Sequence, residues 1–219
     1  MGKIKVSLTL NCFIFFLVLI CSTFMFLGIK FMPDKTLLEV SKIEMFKFYT
    51  VDSNILMAII SLIFAIYEIK LLKGKIDKIP NKIFILKIIG TSAISLTFIV
   101  TALFLTPQYG LYAMYNNNNL FFHLIVPLLS LITYIVFEKH ENKYKYAIYG
   151  IIPMFIYSIY YTSMIIINLD NDGLTFKYDF YGFLNGKITN VFIVIPVIYL
   201  VSYLISILII FLNKKISKN

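Results

Sequence analysis

The chain has 219 residues, 60% of them hydrophobic and 14% charged. Soluble domains average ~45–50% apolar and ~25% charged residues, so the composition excludes a soluble globular protein and indicates an integral membrane protein. The formal net charge of +9 comes from twenty lysines without a single arginine. Base-reading proteins normally use arginine, so the charge does not argue for a nucleic-acid partner.

The first apolar run, residues 6–29, follows Lys3 and Lys5. It is too long for the h-region of a signal peptide and lacks an Ala-x-Ala-like cleavage site, so we read it as a retained span. Its two cysteines, Cys12 and Cys21, lie nine residues apart. That is ~13 Å along a helix, beyond the ~7 Å a disulfide allows. With no other soft ligand near in sequence they form no metal site, and both are expected to be core residues. Five further runs follow at 48–69, 83–106, 120–137, 146–169 and 191–212. Each reaches or approaches the ~20 residues that cross a bilayer. The fold expected is all-α: one domain, residues 1–219, forming a bundle of six transmembrane helices.

The lysines set the expected orientation. The N-terminal tail, the loops 70–87 and 138–145 and the C-terminal tail hold fourteen, against six in the loops 30–47, 107–119 and 170–190. By the positive-inside rule both termini are expected in the cytoplasm of a multi-pass cell-membrane protein. The uncharged third loop, with Tyr109, Tyr112, Tyr115 and the run Asn116–Asn119, suits an outer interfacial cap.

The second span carries Thr50, Asn54, Ala58, Ser61, Ala65 and Glu68, spaced as one helical face. Such small and polar stripes face the bundle interior. The fourth span carries His123, Pro127, Ser130 and Tyr134 with similar spacing, and Pro153 and Pro196 interrupt the fifth and sixth. Asp52 and Glu68 are the acidic residues expected within spans. His140, in the charged stretch Glu138–Glu141, is expected in a loop.

An ionisable side chain at membrane depth is costly and marks a functional site by default; His123 is that residue. Thr50 and His123 both fall in the first turn of spans entering from the same side, so they are expected at similar depth. A hydroxyl beside an imidazole can act as nucleophile and base. Asn54, one turn deeper than Thr50, is a candidate oxyanion donor; Ser53, Ser130 and Tyr157 are further substrate or oxyanion candidates. Asp52 lies about 200° around the helix from Thr50 and is expected to point elsewhere. The structural alternatives are a threonine bonded to the carbonyl one turn back and a histidine serving as a polar strut between helices. No metal or organic cofactor is expected.

Three segments resemble one family. They are Phe46-Lys47-Phe48-Tyr49-Thr50-Val51-Asp52-Ser53-Asn54, the run His123-Leu124-Ile125-Val126-Pro127-Leu128, and Tyr178-Asp179-Phe180-Tyr181-Gly182-Phe183-Leu184-Asn185. Together with six spans they resemble the androgen-induced/ADTRP-like family of six-pass intramembrane hydrolases. The resemblance implies hydrolysis of fatty acid esters of hydroxy fatty acids, with Thr50 in the place of the nucleophile and His123 in that of the histidine. Membrane lipids and a lipid-ester substrate are the partners it implies. The rival class is a non-catalytic protein, a small-solute permease or a scaffold. Permeases usually show repeats, broken helices or several intramembrane charges, and the sequence shows no repeat.

Overall fold

The structure is a computed structural model that describes residues 2–30, 42–140, 143–169 and 178–217. Lys35, Glu141 and Lys177, which entered the loop readings, lie outside the described residues. Six helices are long and apolar enough to cross a membrane: α1 Gly2–Leu27, α2 Tyr49–Leu72, α3 Asn81–Tyr109, α4 Asn118–Phe137, α5 Tyr144–Ile167 and α6 Ile188–Ile216. The described residues contain no strand. The predicted spans fall on these helices. Most helix ends run further than the apolar runs, because helix continues through Lys3 and Lys5 in α1 and through Lys214 and Lys215 in α6, whereas α1 and α5 stop two residues short of their runs, at Leu27 and Ile167.

α3 is the hub. It packs against α2, α4, α5 and α6, while α1 lies chiefly on α2. Large apolar side chains such as Phe16, Ile59, Ile156 and Phe192 face outward, where lipid is the natural solvent. The interior is unusually rich in small and polar groups, with Asn11, Ser61, Thr91, Ser92 and Ser206 fully buried. Without a hydrophobic force between helices in lipid, close packing and interhelical hydrogen bonds hold such bundles together. The crossing of α5 with α3 and α6 shows this. α5 begins as a tight 3-10 turn, Tyr144–Ile151. A Cβ on Gly150 would lie 1.8 Å from Ser206 Oγ and 2.8 Å from Ser92 Oγ. Ser206 donates to Ser92 across the same contact at 2.8 Å.

Asn54, Ala58, Ser61, Ala65 and Glu68 are buried as the stripe on α2 predicts, and Thr50 is half-buried. The buried face is wider than the stripe, since Ser53, Met57, Ile60 and Phe64 share it.

Two helices widen into π turns that end two residues before a proline: Thr101–Leu105 before Pro107 in α3, and Phe121–Ile125 before Pro127 in α4. A proline cannot donate to the carbonyl four residues back, and its ring crowds that carbonyl. For Pro127 that carbonyl belongs to His123. In the wider turn the N–H of Val126 reaches back to Phe121 instead, which relieves the crowding. Single π turns of this kind concentrate at functional sites.

At the end of the bundle that carries both termini the structure corrects the reading of the charges. Lys87 is wholly buried inside α3, and Glu138, assigned to a solvated loop, is 3% exposed. They pair at 2.9 Å. Asn11 of α1 completes the network. Its Oδ1 accepts from Lys87 Nζ at 2.7 Å, and its Nδ2 donates to Glu138 at 3.0 Å and Glu68 at 3.2 Å. The reason is the end of α4. A third π turn, Thr133–Phe137, closes with the Glu138 N–H on Thr133 O, and Asn213 of α6 donates to the carbonyls of Tyr134 and Glu138. The chain is thereby held in the bundle long enough for Glu138 to meet the lysine. His140 lies in the loop as expected, half-buried, with its ring stacked on Phe84 at 3.9 Å and 3°. Of the two free cysteines Cys21 is buried, but Cys12 is only half-buried.

Candidate active site

Thr50 and His123 line one cavity of about 70 Å³, together with Met114, Asn119, Phe180 and Tyr181. Thr50 sits in the first turn of α2, where the N–H groups of Val51 and Asp52 both bond to Phe48 O. Its carbonyl accepts from Asn54 Nδ2 at 2.7 Å and from Ser53 Oγ at 3.1 Å. Asn54 also donates to Phe122 O at 3.1 Å. One amide thus ties the turn bearing Thr50 to the residue beside His123.

His123 lies on the π turn of α4 and is 6% exposed. Its Nδ1 is 2.5 Å from the carbonyl oxygen of Met114. A carbonyl can only accept, so Nδ1 carries the hydrogen and Nε2 carries the lone pair of the neutral ring. The Met114 carbonyl is presented by a short helical turn, Leu111–Met114, which follows Gly110 at φ 85°. Asn119 Nδ2 pins that turn through Ala113 O at 3.2 Å, and Tyr115 packs edge-on against the imidazole at 6.3 Å.

The loop before α6 closes the cavity. Asp179, 3% exposed, accepts from the Tyr161 hydroxyl of α5 and from the Leu184 N–H at 3.1 Å. The turn between them uses Gly182 at φ 68°, with its N–H on Asp179 O at 2.8 Å. This anchors Phe180 and Tyr181 over Thr50. The Tyr181 ring packs against Phe183 at 5.0 Å and Phe48 at 6.0 Å. Tyr181 is 7% exposed, and its hydroxyl has no hydrogen-bond partner of good geometry. Burial raises its pKa to about 12, although the neighbouring Tyr157 and Thr50 hydroxyls act to lower it. At neutral pH it is a phenol and can donate.

The remaining candidates lie elsewhere or are committed. Both hydrogens of the Asn54 amide go to backbone carbonyls. Ser53 Oγ bonds to Thr50 O and lies 2.8 Å from Thr97 Oγ1. Ser130 is fully buried and donates to Val126 O at 2.8 Å. The Tyr157 hydroxyl donates to Lys47 O at 2.7 Å. Tyr157 lines a second cavity of about 30 Å³ that reaches Leu96, Val100 and Ile198 and shares Thr50 and Tyr181 with the first. Asp52 opens instead on a groove of about 340 Å³ between α2 and α5, beside Tyr49, Pro153 and Tyr160.

Sequence reasoning missed Tyr181, Met114 and Asn119 as members of the site. The aromatic density of residues 178–183 was a usable signal for Tyr181. Met114 contributes only its backbone, so its side chain carries no signature. No family model, curated protein or solved structure matches the chain.

Proposed function

We propose that this protein is an intramembrane hydrolase of lipid esters in which Thr50 is the nucleophile and His123 the base. The observation that carries the reading is that Thr50 and His123 line one cavity while Nδ1 of His123 is held by the Met114 carbonyl. That bond leaves Nε2 as the nitrogen that takes a proton. His123 removes the Thr50 proton as Oγ1 attacks the ester carbonyl, then returns it to the departing alkoxide. Water, activated by the same nitrogen, releases the acyl group from Thr50. Met25, Phe48 and Leu105 give the cavity apolar walls suited to an acyl chain, and a second, smaller cavity shares Thr50, Leu105 and Tyr181 with it. The lysine distribution supports a site in the outer leaflet of the cell membrane, with both termini cytoplasmic.

The test uses the full chain in membranes, a fluorophosphonate probe and a short-chain lipid ester. Thr50→Ala and His123→Ala each abolish labelling and hydrolysis, and the double variant is little worse than either, because residues acting as one unit are non-additive. Thr50→Ser keeps the hydroxyl and retains activity. If both alanine variants fold and hydrolyse the ester at the wild-type rate, the assignment is wrong and His123 is a polar strut.

A further inference from the structure

The hydrolytic reading lacks a donor for the charge that develops on the ester carbonyl oxygen. The residues nearest Thr50 in sequence do not supply one, since Asn54 and Ser53 are bonded within the protein. Tyr181 differs from them. It lines the cavity of Thr50 and His123, it is 93% hidden from solvent (7% exposed), and its hydroxyl, though near those of Tyr157 and Thr50, meets neither in good hydrogen-bond geometry. A buried hydroxyl without a partner costs free energy in the resting protein, so its retention beside a nucleophile calls for a use.

We propose that the Tyr181 hydroxyl donates a hydrogen bond to the carbonyl oxygen of the ester as Thr50 attacks it, an inference that rests on the hydrolytic reading above. In the first half-reaction the Thr50 Oγ1–carbon bond forms and the O–H proton passes to His123 Nε2. The carbonyl π pair moves onto the oxygen, which accepts from Tyr181. Collapse restores the carbonyl and breaks the bond to the alkoxy group, which leaves with the proton from His123. Water repeats the sequence on the acyl-threonine, with Tyr181 again donating to the same oxygen. Tyr181 never transfers its proton, which suits a phenol with a pKa of about 12. The donor is fixed before substrate arrives, because Asp179 anchors the loop to Tyr161 and Leu184 and the ring is wedged between Phe48 and Phe183. Donors fixed in advance are the effective kind.

Tyr181→Phe removes only the hydroxyl and keeps the packing. Loss of one oxyanion donor lowers kcat about 10²–10³-fold; we expect that loss with KM little changed. The same variant should unfold at the same temperature as wild type or higher, because no well-formed resting hydrogen bond is broken. A structural hydroxyl gives the opposite pair of results, a lower unfolding temperature with kcat retained. Wild-type kcat in Tyr181→Phe beside a dead Thr50→Ala overturns the role of Tyr181 alone. Wild-type kcat in Thr50→Ala overturns the hydrolytic reading and this inference with it.

Discussion

The ammonium of Lys87 lies 2.9 Å from the Glu138 carboxylate, and neither side chain reaches solvent. Each ion is held by the other and by Asn11. Removing one partner of a buried pair strands the other charge, at a cost of about 3–5 kcal/mol, whereas replacing both with apolar groups is often neutral. Glu138→Ala should therefore lower the unfolding midpoint in detergent sharply, and Lys87→Met with Glu138→Leu should recover most of it. A double-variant loss equal to the sum of the Glu138→Ala and Lys87→Met losses would show that the two charges are uncoupled.

Gly150→Ala tests the crossing of α5, α3 and α6. The added Cβ lands 1.8 Å from Ser206 Oγ, and overpacking of a tight interior typically costs about 1–3 kcal/mol. Ser206→Ala in the same chain removes the closest clash and should return part of the loss in unfolding midpoint. A wild-type midpoint for Gly150→Ala alone would mean the helices are not packed this closely.

Asn54→Leu preserves volume but deletes the amide that joins Thr50 O to Phe122 O. The expected result is a drop in probe-labelling rate of tens of fold, since small misplacements of reacting groups cost up to about 10². The stability cost should stay at about 0.5–1.5 kcal/mol for each bond lost, since Thr50 O keeps the bond from Ser53 Oγ. Labelling at the wild-type rate would remove Asn54 from the set of positioning residues.

Orientation is tested with single cysteines at Asn117 and Lys75 in a background lacking Cys12 and Cys21. A membrane-impermeant thiol reagent added to intact cells should label position 117 and spare position 75. The reverse pattern would put the Thr50 cavity in the inner leaflet.

The six helices were legible because each is an unbroken apolar run, and the inward face of α2 because polar residues recur at helical spacing. Thr50 and His123 could be paired by depth alone, each lying one turn inside its span. The charges were misread where local composition misleads. Lys87 looks like one more membrane-edge lysine after Lys82, and Glu138 opens a polar stretch. Their burial depends on Asn11, Glu68 and Asn213, which are distant in sequence. Tyr181 was hidden for a related reason: only the fold of the loop anchored at Asp179 carries it onto Thr50.

The π turn at Phe121–Ile125 holds one residue more than an α-turn would, so the two parts of α4 are out of phase by about 100°. Deleting Leu124 would restore the α phase and leave a helix that still spans the bilayer. It would also swing His123 by about a quarter-turn relative to Pro127, Ser130 and Tyr134. One extra residue in the turn is therefore enough to aim this imidazole at the cavity. Without that residue Phe122 would also leave its buried seat and its bond to Asn54, so the bundle would have to repack as the imidazole turned away from the cavity.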